Sequence, residues 1–230
     1  MNFRKIIEKW TRIRFAGTKR NVIVVPRYGF VDSTARVYGA ARVRLENGVV
    51  VSEGTVINAI NFPRKCAVDI GAFSYIGRFN YLNAGLELRL GPFTLTGPFC
   101  QFLGVDHEMS APSVPYAFSG PGDSGLIELG ANCWLGSSVC ILKNVTIGHG
   151  SVIGAGSIVT KSTPPFSMVV GNPGRVIKRY SFSKKQWVPI AEWAIVDEAS
   201  IPAAEDYKTS LLSACADKRL DPGMANSIDR

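Results

Sequence analysis

The stretch from Leu129 to Thr163 reads L-G-A-N-C-W-L-G-S-S-V-C-I-L-K-N-V-T-I-G-H-G-S-V-I-G-A-G-S-I-V-T-K-S-T. An aliphatic residue opens every block of six: Leu129, Leu135, Ile141, Ile147, Ile153 and Val159. Glycine follows it in four blocks, at Gly130, Gly136, Gly148 and Gly154. A small or β-branched residue sits fifth, at Cys133, Val139, Val145, Ser151, Ser157 and Thr163. A helix needs apolar residues every three or four positions and a strand every second one, so a clean period of six fits neither. It fits short strands joined by tight Gly or Asn turns, stacked so that each block covers the apolar face of the next. The spacing predicts an all-β solenoid, a parallel β-helix.

Working outward, the period shows faintly at Val31, Val37, Val43 and Val49. It returns at Ile70, Ile76 and Leu82, then at Leu90, Thr96 and Phe102, with a slip of two between Leu82 and Leu90. Gly104 to Gly125, G-V-D-H-E-M-S-A-P-S-V-P-Y-A-F-S-G-P-G-D-S-G, has no period. Loops of that length inside a compact repeat are uncommon and usually functional. Pro164-Pro165 stops the pattern, Val169 to Pro173 reads as a last strand and turn, and a basic cluster follows from Arg175 to Lys185. The tail from Gln186 lacks hexapeptides; a helix is expected around 206–218 and disorder over the final ten residues. The expected organisation is a basic cap over 1–30, the solenoid over 31–180 with its loop at 104–125, and an extension over 181–230.

Residues 2–15 place Phe3, Ile6, Ile7, Trp10 and Ile13 on one helical face, with Arg4, Lys5, Lys9 and Arg12 elsewhere. An amphipathic helix capping the open first coil is the favoured reading. A helix lying on a membrane surface is the alternative. The formal charge is +8 over 230 residues. Residues 1–50 carry all of it, with eleven Lys/Arg against three Asp/Glu. No nucleic-acid motif accompanies that charge, so a solvated basic face is expected rather than a nucleic-acid partner. Five Cys with no C-x-x-C spacing imply reduced thiols in a cytoplasm, Cys133 packing inward. No signal-type apolar segment and no apolar run approaching 18 residues predicts a spanning or ordinarily exported chain.

The run from Trp134 through the P-P-F-S-M-V-V-G-N-P-G-R-V-I-K segment ending at Lys178 resembles the hexapeptide-repeat acyltransferases. Within that family the run resembles small sugar O-acetyltransferases, such as galactoside and polysaccharide acetyltransferases, and the xenobiotic acetyltransferases. The resemblance is strong over 128–180, fair over 68–108 and absent over 1–30 and beyond 186. It implies a left-handed β-helix with three hexapeptides per coil, an exception to the usual right-handed crossover. It also implies a homotrimer with acetyl-CoA along the cleft between protomers, and no metal.

Only two histidines are present. His149, in the turn of I-G-H-G, is expected to be an exposed turn residue. His107, opening the long loop in G-V-D-H-E, matches the family's catalytic histidine. An imidazole titrating near 6.5 is suited to taking a proton from an attacking hydroxyl at neutral pH. Asp106 and Glu108 flank it, and either a tautomer-holding role or a solvated one is open. Asn83 falls where galactoside enzymes place an Asn on the acceptor.

A CoA arm needs backbone amides exposed by small residues, and its phosphates need cations. Gly136, Ser137, Gly154, Ala155 and Gly156 supply small turns in register; Lys161, Arg175, Lys178 and Arg179 supply charge. In the resemblance, Trp134, Ser137, Ala155, Thr160, Lys161, Arg175 and Lys178 fall on donor-contacting positions. The reading is an acetyl-CoA-dependent O-acetyltransferase acting on a small-molecule or glycan hydroxyl. The alternatives are a streptogramin- or chloramphenicol-type acetyltransferase, an amino-sugar N-acetyltransferase, or a structural β-helix without catalysis. A γ-type carbonic anhydrase shares the solenoid but needs three His ligands on zinc, and two do not suffice.

Overall fold

The computed structural model describes residues 12–14, 22–25, 27–60, 67–109 and 112–217. Its body is a stack of three-sided coils. The first face carries Phe30–Val31, Val50–Val51, Tyr75–Ile76, Leu95–Thr96, Trp134–Leu135, Val152–Ile153 and Ser167–Val170. The second carries Arg36–Tyr38, Val56–Asn58, Tyr81–Asn83, Gln101–Leu103, Cys140–Leu142 and Ile158–Val159. The third carries Val43–Leu45, Val68–Ile70, Glu87–Leu90, Leu126–Leu129 and Val145–Ile147. On every face, each strand pairs in parallel with its equivalent one coil along, as Leu82 does with Ile57 and Phe102.

Each face sends one column of side chains inward. Ile76, Leu135 and Ile153 are sealed on the first, Ile57, Leu82 and Phe102 on the second, Ile70 and Ile147 on the third, all at 0% exposure. Stacking like on like in this way removes apolar area from water in every coil. At two corners the chain passes from one column to the next in strict steps of six: Ile76 to Leu82 and Leu135 to Ile141 at the first corner, Leu90 to Thr96 and Leu129 to Leu135 at the third. Between the second and third faces the step varies. Ile141 is followed by Ile147, but Leu82 by Leu90, Ile57 by Ile70 and Phe102 by Leu129. The slip at Leu82 and the long excursion after Phe102 are two cases of one rule. At the N-terminal end the same corner shifts the expected register: Leu45 fills the third-face column, and Val43 is only half-buried.

The two strict corners are fixed by close stacking of left-handed turn residues. Phe73 (φ 58°) and Phe93 (φ 61°) stack at 5.6 Å on the third corner, and Phe79 (φ 56°) and Phe99 (φ 62°) at 5.4 Å on the first. Gly54 lies below Phe79, where a Cβ would come within 2.3 Å of the ring, so glycine is required beneath the aromatic. Polar groups at the first corner are paired. Asn80 donates to Thr96 Oγ1 (2.7 Å) and Gly77 O (2.9 Å), and accepts from the Cys100 amide. Burial pushes the Cys133 thiol up to about 12 and Cys100 to about 11, which keeps both protonated and unreactive.

The chain leaves the parallel stack after Ser167–Val170. Arg175–Ser181 folds back antiparallel on that strand and Gln186–Pro189 pairs beside it, so the first-face sheet runs on across residue 180. Arg179, 5% exposed, ties this hairpin to the C-terminal extension: it pairs with Glu198 (2.6 Å), donates to Pro165 O (3.1 Å) and lies 4.1 Å from the Trp193 ring centroid. The expected C-terminal helix is present as Ala204–Asp217. The expected disorder of the final residues lies outside the described residues, as does most of the expected N-terminal helix. The last part of that helix is corrected: Arg12–Arg14 is a strand, antiparallel to Val22–Val24.

His149 is also corrected. It is 8% exposed, not an exposed turn residue. Pro202 O accepts from its Nε2–H (3.1 Å), and its ring meets Phe166 edge-on at 5.0 Å and Tyr207 at 5.3 Å. Asn132 donates to the Tyr207 hydroxyl at 2.6 Å, so the C-terminal helix is seated on two adjacent coils. Burial lowers the His149 pKa below the free value, outweighing the Pro202 bond. Protonation therefore works against docking. The contribution is complete above about pH 6.5 and is lost as pH falls through the lowered value. Protection of the Ala204–Asp217 amides, taken relative to the intrinsic exchange rate at each pH, should fall between pH 7.5 and pH 5, and should fall much less in His149→Gln.

Candidate active site

The variable corner builds the site. After Phe102 the chain leaves the coil, and Val105–His107 pairs antiparallel with Pro121–Ser124, opposing His107 to Pro121. Where the sequence showed an aperiodic loop, the structure has a hairpin with a short 3-10 turn, Tyr116–Phe118, at its end. The Glu108 amide donates to Gly120 O (3.2 Å), and Ser119 Oγ donates to Glu108 O (2.7 Å), closing the tip on the first strand. His107 opens onto a pocket of about 440 Å³ shared with Glu108, Met109, Tyr116 and Ala117. Among the described residues no group hydrogen-bonds the ring, so both nitrogens are available to a substrate.

The flanking carboxylates separate. Asp106 pairs with Lys143 Nζ at 3.0 Å, and Glu108 is exposed on the pocket rim. Asn83 ends the second-face strand one coil below, opposite Leu103, and its backbone oxygen accepts from the Gly104 amide (3.0 Å) at the foot of the hairpin. Its Oδ1 is buried without a hydrogen-bond partner. A buried acceptor in that state costs free energy until a donor reaches it.

The donor-position residues collect elsewhere. Gly136 and Ser137, and Gly154 and Ala155 one coil later, form first-corner turns that lie one on the other; a Cβ on Gly136 would come within 2.6 Å of the Ala155 amide nitrogen. Ser137 and Ala155 are exposed, leaving a shallow shelf of backbone. Trp134, 53% exposed, stands on the first face between Leu95 and Val152. Thr160 and Lys161 are exposed at the second corner, the one that carries the hairpin. Arg175 is exposed beyond the last first-corner turn, and Lys178, half-buried, sits opposite Met168. Among the described residues, no hydrogen bond links the hairpin to any of these positions. The second face separates the small-residue shelf, along one edge, from the histidine hairpin at the other, the edge that Thr160 and Lys161 share.

Three residues of the site carried no sequence signal of their own. Met109 and Tyr116 line the pocket but sit in the aperiodic stretch, where no register says which side chain turns inward. Lys143 reads as an ordinary turn residue; only the three-dimensional approach of its corner to the hairpin shows what it holds.

Residues 127–161 match the family described as Bacterial transferase hexapeptide (six repeats). The chain is 43% identical over 127 residues to the galactoside O-acetyltransferase of Escherichia coli K12, covering 51% of this chain and 59% of that one. It is 55% identical over 56 residues to a protein of Staphylococcus aureus strain COL named as an acetyltransferase, covering 24% of this chain and 28% of the relative. The chain thus spans less than two thirds of the length of either of these curated relatives. In fold it is similar to an N-acyltransferase from Bacillus cereus in complex with dTDP-4-amino-4,6-dideoxyglucose and coenzyme A, with a TM-score of 0.56 and 21% identity over 77% of this chain and 89% of that one. The resemblance to hexapeptide-repeat acyltransferases therefore holds in the repeat, in the named relatives and in the fold.

Proposed function

We propose that this chain is an acetyl-CoA-dependent O-acetyltransferase acting on a sugar or glycan hydroxyl, with His107 as general base. The observation that carries the reading is the placement of that one imidazole. Unbonded among the described residues, it stands in a pocket on the longest departure from a repeat whose relatives are named as acetyltransferases. A hydroxyl held in the pocket attacks the thioester carbonyl while a ring nitrogen takes its proton. The tetrahedral adduct collapses, the C–S bond breaks, and the imidazolium returns the proton to the departing thiolate, leaving an ester and CoA. No acyl-enzyme is required, in keeping with Cys100 and Cys133 being buried and protonated. Asn83 Oδ1, buried and unpartnered, is suited to accept from an acceptor hydroxyl, and Glu108 lies at the rim where a second hydroxyl would reach it.

The solenoid is taken as left-handed and the working form as a homotrimer. The outer faces support an assembly. Phe30, Leu95 and Trp134 leave the first face apolar and exposed, whereas the outside of the third carries charge pairs such as Arg89 with Glu87 and Arg44 with Asp69. Apposed first and second faces would bring a neighbour's shelf toward this hairpin, joining two groups that lie apart within one protomer. Acetyl-CoA would then run past Trp134, Ser137 and Ala155 to Thr160 and Lys161, its phosphates near Arg175 and Lys178. Lys178 acts as a point charge rather than a fork. A cytoplasmic setting fits this donor and the four free thiols among the described residues.

A second reading draws on the pocket itself. Met109, Tyr116 and Ala117 offer apolar surface beside His107, which favours an acceptor with an apolar body, as in the xenobiotic acetyltransferases. Acetyl transfer to galactosides, maltose, amino sugars, chloramphenicol and streptogramin separates the readings by product.

His107→Ala should lower kcat by about 10²- to 10⁴-fold with the fold intact, and a stable alanine variant of unchanged rate would remove the histidine from the chemistry. Lys161→Ala combined with Lys178→Ala should raise the KM for acetyl-CoA at least about tenfold while leaving acceptor KM unchanged; an unaltered donor KM would clear both lysines from the site.

A further inference from the structure

We infer that Lys143 is a positioning residue for the reaction, holding the His107 hairpin against the solenoid at the angle catalysis needs; this rests on the reading of His107 as general base. Lys143 lies in the second-corner turn of the coil that comes after the hairpin, beyond Cys140–Leu142. Its ammonium touches both strands of the hairpin at once. Nζ is 3.0 Å from the Asp106 carboxylate, on the strand that carries His107, and donates at 3.0 Å to the Asp123 carbonyl on the returning strand. The lysine side chain is 25% exposed, so the contact is partly shielded from water.

A second observation, independent of charge, shows that hairpin and corner meet closely. A Cβ at Gly125, where the hairpin rejoins the coil, would fall 2.4 Å from Asn144 Oδ1 and 2.8 Å from Lys143 Cβ. Only a residue without a side chain lets the turn come near enough for Lys143 to reach both oxygens. On the far side, Gly85 (φ 62°) meets the Gly104 and Gly125 carbonyls, where a Cβ would lie at 2.1 and 2.5 Å. The foot of the hairpin is therefore clamped between the coil below and the corner above. Beyond that foot and the Lys143 contacts, the hydrogen bonds of the hairpin among the described residues are with itself: the strand pair, the Glu108 to Gly120 bond and the Ser119 bond to Glu108 O.

Asp106 acts as the grip of the strap rather than as a partner for the imidazole. Its neighbour's ring is placed because the strand is placed. An exposed ion pair contributes little to global stability, but a shift of about 1 Å in a reacting group can cost about 10²-fold in rate. The residue should therefore be visible in kcat and in local dynamics, and nearly silent in thermal unfolding.

The test compares Lys143→Met, Lys143→Arg, Gly125→Ala and His107→Ala in the full chain. Amide exchange is read over the hairpin, and acetyl-CoA turnover with the best acceptor of the sugar and drug panel. Lys143→Met should speed exchange over residues 105–124 about tenfold and not elsewhere. It should lower kcat about 10- to 100-fold, leaving the KM for acetyl-CoA and the melting temperature close to the parent. Lys143→Arg, long enough to reach both oxygens, should recover most of the rate, and Gly125→Ala should behave like Lys143→Met. Unchanged hairpin exchange in Lys143→Met, or unchanged kcat beside a crippled His107→Ala, overturns the strap and leaves the base in place. A fully active His107→Ala overturns the base and the strap with it.

Discussion

In-register stacking of one coil on the next is the constraint on which everything else in this molecule depends. Each inward side chain sits over its own equivalent, Leu82 between Ile57 and Phe102 and Leu135 between Thr96 and Ile153. An extra residue in a strand would turn its side chains to the other face. Additional chain must therefore leave at a corner, and two of the three are closed to it. There the turn residues lie directly on one another, Phe99 over Phe79 and Ala155 over Gly136, with no room for more backbone. The remaining corner takes the length variation: a slip of two after Val37 and again after Leu82, a longer step from Ile57 to Ile70, and the hairpin with His107 after Phe102.

That asymmetry links fold to chemistry. In its last coils the first corner gives a shelf of small residues whose shape fits the long, narrow donor proposed, because a shelf made by repetition keeps its shape from coil to coil. The permissive corner gives a projecting arm suited to an acceptor, because its length and composition are free of the repeat. On the proposed function, a rigid donor site and a variable acceptor site would both be products of the same stacking rule. The arm still has to be held, and the contacts at Gly85, Gly125 and Lys143 hold it only at its foot.

Where the sequence was legible, the reason is the same rule. From Leu129 to Val159 nothing interrupts the six-residue step, so columns, turns and the buried Cys133 can be read off directly. The early coils read less clearly because the second corner shifts by different amounts: Leu45, not Val43, completes the third-face column. His107 could be singled out because it opens the one long break in the period. Its surroundings could not, since an aperiodic segment has no register to say which of Met109, Tyr116 or Glu108 lines a pocket. The burial of His149 is illegible in the sequence for a related reason. The turn it occupies is exposed in a bare solenoid, and what covers it, Pro202 and the helix with Tyr207, belongs to a tail with no repeat to place it.

The stacking rule is tested most directly by lengthening one coil at two points and measuring thermal unfolding. Two residues inserted between Lys161 and Ser162 extend the permissive corner; the same two between Ala155 and Gly156 extend a strict corner of the same coil, at positions equally exposed. Loop lengthening alone costs little, so the first insertion should shift Tm by no more than about 3 °C. The second should lower it by about 10 °C or more, because the turn above can no longer lie on the turn below. Equal tolerance at both points, or greater tolerance at the strict corner, would contradict the claim that stacking alone decides where this chain can carry its chemistry.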